Sequence, residues 1–192
     1  MLLLLTVSFL SLNNACRKSS EPELPDATQS GANTAGCLLN GQLWIASSEN
    51  CLRFGTPDRE KGYFSYDVVN KRLRVFFKRC TIYEDHFFSL AIEDCNGPGK
   101  YECNKRSYLP GLPGSSGGRY NNIWFYSVSS QGSMEKNYVT NEEATGVIII
   151  TKIDTLSKPI FAAGTFDCKL KNLNNMYDSL VITSGRFDII NQ

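Results

Sequence analysis

Four carboxylates and the chain's only histidine fall in one short stretch: Glu84, Asp85 and His86 open the apolar run HFFSLAI, and Glu93 and Asp94 close it. Two carboxyl groups facing one bond can act as acid and base on a glycoside, and a histidine oriented by an acid can act as a base. The spacing argues against both. A strand of about eight residues puts its ends some 25 Å apart, beyond either glycosidase geometry, so these carboxylates read as solvated strand ends. His86 beside Asp85 reads as an ordinary surface pair. A glycan- or peptide-directed hydrolase using the carboxylates between Glu84 and Asp94 is the alternative reading.

Gly114-Ser115-Ser116-Gly117-Gly118 fits the G-x-S-x-G pattern of a nucleophile elbow. That elbow needs a strand before the serine, a helix after it and a histidine downstream. Here Pro110 and Pro113 precede it, an aromatic run follows, and His86 lies upstream, so the match is accidental. Asp154 and Asp188 each sit in a long apolar segment, and Arg186 is expected to pair with an aspartate across strands and fix their register. No D-x-[DN]-x-[DN]-G run is present to hold calcium. Tyr120, Trp124 and Tyr126 are a candidate ligand surface, because aromatics on a sheet can stack on sugars or meet an apolar partner. Trp124 and Tyr126 share one strand face, which reads more readily as core.

There are seven cysteines. Cys16 follows the run MLLLLTVSFLSLNNA, which has the length of a signal-peptide apolar region and is too short to span a bilayer. A small residue, Ala15, stands before Cys16, as at a bacterial lipoprotein cleavage site. Residues 1–15 are therefore expected to be removed and Cys16 to be acylated. Cys37, Cys51, Cys80, Cys95, Cys103 and Cys168 remain, an even number in a compartment where thiols pair, so three disulfides are expected. The local choice is Cys95–Cys103 around Gly97-Pro98-Gly99. Cys168, on the face of Phe166 and Leu170, is expected to pair with a distant partner such as Cys37 or Cys80. A metal site from Cys80, His86, Cys95 and Cys103 is disfavoured because no CxxC spacing is present. No cofactor is implied.

These residues must be positioned by strands. Aromatic residues are 11% of the chain, and Asn, Ser, Thr and Gly are abundant. No apolar stripe of helical period appears. Asn40-Gly41 between apolar residues marks a hairpin, and Tyr63–Val69 with Leu73–Arg79 marks a second. His86–Ile92, Ile123–Val128 and Gly146–Ile153 read as further strands, the last apolar enough to be covered on both faces. Phe161–Leu170 and Leu180–Ile190 should pair, with a bulge at Ser184-Gly185 returning Phe187 and Ile189 to the core face. The Gly/Pro-rich segment between Tyr108 and Tyr120 is a long loop. Arg17–Ala32 is polar and aperiodic and reads as a flexible tether. The expectation is one domain, residues 33–192, all-β, built as a single antiparallel β-sandwich or partly open β-barrel. Twenty basic and nineteen acidic residues give a net charge of +1, which provides no field for nucleic acid.

The chain also resembles a family of small uncharacterised envelope lipoproteins of Bacteroidota. The matching stretches are LPDATQSGANTAGCLLNGQLW (Leu24 to Trp44), ITKID (Ile150 to Asp154), AGTFDC (Ala163 to Cys168) and VITSGRFDI (Val181 to Ile189). The resemblance implies a lipid anchor in the cell envelope and a β-rich domain, and it brings no known activity. Arg17 after Cys16 adds the expectation of outer-membrane placement, on the periplasmic side or at the surface. Together these readings point to a non-catalytic binding or structural module, held to the membrane by its N-terminal lipid and meeting an envelope glycan or protein partner.

Overall fold

The computed structural model describes residues 23–53, 56–57, 60–105 and 120–191, so Cys16, the leader and the Gly114–Gly118 motif lie outside the described residues. Among the described residues there is no helix. Strands β1 (Thr34–Leu39) and β2 (Gln42–Ile45) form the first hairpin. Asn40 (φ 50°) and Gly41 (φ 79°) supply the two positive φ values that a two-residue turn of this hand requires. The two-residue strands β3 (Leu52–Arg53) and β4 (Thr56–Pro57) pair with each other apart from the main sheet. Next, β5 (Gly62–Asp67), β6 (Arg72–Cys80) and β7 (Glu84–Ile92) run as a meander. β8 (Gly99–Cys103), β9 (Asn122–Ser129), β10 (Met134–Val139), β11 (Gly146–Asp154), β12 (Phe161–Asn172) and β13 (Ser179–Ile190) complete the order.

Eleven strands form one antiparallel sheet that does not close into a barrel. It folds over itself at one corner, where only Tyr138–Asn172 and Val139–Lys171 link β10 to β12. One layer is then β5-β6-β7-β9-β10 and the other β2-β1-β13-β12-β11-β8. The free margins approach each other at an isolated bridge between Ser47 and Arg79. Alternation along each strand sends aromatic rings inward, and the rings fill the gap between layers. Trp44 meets Phe88 at 4.9 Å and Phe77 at 5.9 Å, and Phe166 meets Phe77 and Phe88 at 5.8 Å. The expected bulge is present: Ser184 (φ 55°) sits at a register shift, and Phe187 and Ile189 return to the core. Gly185 is required there because a Cβ would meet the Phe166 ring at 2.7 Å.

Several expectations change. β11 lies between β8 and β12 in the ladder, but among the described residues its second face is open at Ile149, which is 40% exposed, and at Thr151. The tether does not extend to Ala32. Asp188, only 1% exposed, accepts a hydrogen bond from the Thr28 hydroxyl (2.6 Å) and from the backbone N–H groups of Ser30, Gly31 and Ala32 (2.9–3.1 Å). Arg186 is not its partner and instead donates to the Pro25 carbonyl (3.0 Å). Residues 24–32 thus form a strap bound to the outer side of β1 and β13. The stretches Leu24 to Trp44 and Val181 to Ile189 meet in this clasp.

Among the described residues one disulfide forms, Cys51–Cys80, while Cys37, Cys95, Cys103 and Cys168 are buried free thiols. The expected Cys95–Cys103 bridge is replaced by contacts of the Cys95 thiol with the Tyr101 hydroxyl (3.6 Å) and the Gly97 carbonyl (3.9 Å). Cys168 is separated from Cys103 by β11, whose Gly146 stands opposite both, and from Cys37 by β13. Two strand spacings are about 9–10 Å, too wide for a disulfide. Its other expected partner, Cys80, is taken by Cys51.

Candidate functional site

β7 starts at Glu84, two residues earlier than the apolar run suggested, and this reorders the acidic cluster. His86 has the parity of Phe88 and Leu90, so it points between the layers with them. Its ring lies edge-on to Phe125 at 5.5 Å, and the Trp44 indole N–H donates to its Nδ1 at 3.3 Å. An indole nitrogen can only donate, so Nδ1 is the acceptor and the ring hydrogen sits on Nε2. Nε2 is 3.1 Å from Glu84 Oε2, and Glu84 is also 3.3 Å from Lys136 Nζ. Asp85 projects from the opposite face of β7 and is not the partner of His86.

Ser127 stands directly opposite His86 on β9 and is fully buried. Serine, histidine and glutamate therefore meet, but not as a triad: the base nitrogen that would activate Ser127 is occupied by Trp44. Glu84 Oε1, His86 Nε2 and the Ser127 hydroxyl make no hydrogen bond of good geometry, while Lys136 Nζ donates to Glu84 Oε2 at 3.4 Å, so the cluster is held largely by charge and proximity. Burial alone would raise the Glu84 carboxyl, yet the Ser127 hydroxyl, His86 and Lys136 outweigh it and hold the group below the usual carboxylate range. Asp85 moves the other way, raised by burial. Both line a cavity of about 670 Å³ at the β6–β7 turn, with Glu49, Cys51, Thr81 and Ser129 in its wall.

Comparison with protein-family models, curated proteins and solved structures finds no match. The remaining site residues are placed by the geometry alone. Glu93 is tied to Arg72 (2.8 Å) and Arg74 (2.7 Å) on the outer face, far along β7 from Glu84. Asp94 turns the chain at φ 54°. Asp154 caps its own turn through the Leu156 and Ser157 N–H groups (3.1 and 2.9 Å). Among the described residues, no three His, Cys, Asp or Glu side chains gather closely enough to hold a metal ion.

The outer face of the same layer carries two of the three aromatics named as a candidate ligand surface, although their strand face read more readily as core. Trp124 and Tyr126 alternate with buried Ile123 and Phe125 and point outward. They end a row of five rings across β5, β6, β7 and β9: Tyr63–Phe76 at 5.1 Å, Phe76–Phe87 at 5.8 Å, Phe87–Tyr126 at 4.7 Å and Tyr126–Trp124 at 4.5 Å. Ring planes differ by no more than 32°, so the rings overlap like tiles, each showing an edge and part of a face. The Trp124 indole N–H is fixed by Asn137 Oδ1 at 2.6 Å. Burial, with Tyr63 nearby, pushes the Tyr126 hydroxyl above its ordinary pKa. The row is about 15 Å long, set by the spacing of four strands. Tyr120 is not in it. That ring lies under Lys105 Nζ (5.0 Å) beside a separate cavity of about 360 Å³ with Glu93, Asp94 and Glu102.

Proposed function

We propose that this chain is a lipid-anchored cell-envelope protein, placed at the outer membrane through Cys16, whose β domain binds or braces and does not catalyse. The observation that supports this best is the use of His86: Trp44 occupies its Nδ1, Glu84 faces its Nε2, and Ser127 is sealed opposite it. His86 and Ser127 face the space between the layers, and the outer aromatic row is a surface open to a partner. A glycan or protein of the envelope would meet the row from Tyr63 to Trp124.

The hydrolytic reading has one observation in its favour. Glu84 is held low and Asp85 is raised, and both line one cavity, a pattern that can mark a base and an acid. The two readings separate cleanly in one experiment. Isolated peptidoglycan and envelope polysaccharide are each titrated against the purified protein, following Trp fluorescence and new reducing ends. Binding that weakens in Tyr63→Ala and Tyr126→Ala and persists in Glu84→Gln is the expected outcome. Reducing ends that disappear in Asp85→Asn would overturn the binding reading.

A further inference from the structure

The geometry points to a restricted orientation: the strap-bearing outer face of β1, β13 and β12 is turned toward the membrane, and the aromatic row faces away from it. This rests on acylation of Cys16, proposed above, and goes further in naming the surface that faces lipid. The argument begins with the clasp. Asp188 holds residues 28–32, Arg186 holds the Pro25 carbonyl, and Leu24 and Pro25 sit on Gly36 of β1. The chain therefore leaves the domain from Leu24 on that face, and not from Asn33.

About eight residues separate Cys16 from Leu24, and fully extended they reach about 28 Å at most. A domain of this size has a radius of gyration of about 15 Å, hence a diameter of roughly 40 Å. The leash is shorter than the body it holds. Had the chain been free up to Asn33, about seventeen residues would reach roughly 60 Å and the domain could roll over. The core rings join the inner faces of the two layers, so the row on β5, β6, β7 and β9 lies on the side opposite the strap.

Charge does not drive the orientation. On the strap-bearing layer Lys100 pairs with Glu102 (3.2 Å) and Lys152 with Asp154 (3.7 Å), and on β12 and β13 the basic Lys169, Lys171 and Arg186 are offset by the acidic Asp167 and Asp188, leaving a small net charge. Orientation set by the leash should therefore be insensitive to salt.

The test uses acylated protein reconstituted into phosphatidylethanolamine–phosphatidylglycerol vesicles that carry a headgroup nitroxide. A fluorophore is attached at Thr183→Cys on the strap-bearing face or at Ser65→Cys on the aromatic face. Both sites are exposed, and the native free thiols are buried. The expected result is severalfold stronger quenching at 183 than at 65, unchanged by salt. An inserted Gly/Ser segment of about sixteen residues after Ser20 should equalise the two labels without touching the fold. Equal quenching before insertion would overturn the orientation while leaving the anchor standing. Protein that fails to float with vesicles would remove the leash, and the proposal with it.

Discussion

Asp188 and Glu84 are both carboxylates drawn out of bulk water, and they are held in different ways. Asp188 takes its donors from consecutive backbone N–H groups and one hydroxyl, so it fixes a path of main chain. Glu84 is surrounded by side chains, Ser127, His86 and Lys136, of which Lys136 donates a long hydrogen bond of 3.4 Å. Backbone donors cannot leave without unfolding a segment, whereas side chains can swing away. The first site is therefore a fastening, and the second a polar filling at the end of an aromatic core.

The comparison breaks most visibly at Asp188. Asp188→Ala should cost about 3 kcal/mol, since several charge-assisted hydrogen bonds go and buried N–H groups are left without partners. Melting temperature should fall, and limited proteolysis should cut within residues 24–32 before the rest of the domain. Removing the disulfide should have an effect at least as large. Cys51 and Cys80 are 29 residues apart, and a loop of that size is worth about 3–3.5 kcal/mol in the chain-entropy account. Non-reducing peptide mapping should find that bridge and four thiols. In the native state those thiols should resist alkylation, because burial pushes Cys37 and Cys103 up to about 12 and Cys168 well above its ordinary value.

Much of the strand framework was legible in the sequence, and the two carboxylate sites were hidden for identifiable reasons. Asn40-Gly41, the Ser184-Gly185 bulge and the alternation of Phe166, Cys168 and Leu170 are local signals, and each was realised. His86 was assigned to the surface although it shares parity with Phe88 and Leu90. Polarity was allowed to override period there, and Trp44, forty-two positions earlier, supplies the indole that satisfies the ring. Trp124 and Tyr126 erred in the opposite sense: large aromatics suggested core, while alternation with Ile123 and Phe125 placed them outside. The clasp could not be foreseen, because Asp188 and Thr28 are 160 positions apart. The same holds for the thiols, since which strands lie between two cysteines depends on sheet order.

Smaller effects sharpen the contrast further. Glu84→Gln should cost about 1 kcal/mol or less at neutral pH, the scale of a partly screened ion pair. The folded-state pKa of Glu84 lies below its unfolded value, so its contribution is complete above the ordinary carboxylate range and is lost as pH falls through the folded value. A stability–pH curve should show that slope in the native protein and lack it in Glu84→Gln. Asp154 gives the least effect. Its carboxyl is partly exposed, and the Ser157 side chain and the Ser157 and Leu156 N–H groups lower it to about 2. Its stabilisation should be present above the ordinary 3.8 and disappear as pH falls from there toward about 2, read by NMR titration of the carboxyl.

The use of His86 as a structural acceptor carries the reading of this domain as a binding module. Long-range ¹H–¹⁵N NMR of the imidazole tests it directly in the purified protein. The expected spectrum shows the ring hydrogen on Nε2, Nδ1 accepting from the Trp44 indole, and that bond lost in Trp44→Phe. A hydrogen on Nδ1, with Nε2 unprotonated and facing Glu84 and Ser127, would contradict the account and make His86 a base available for catalysis.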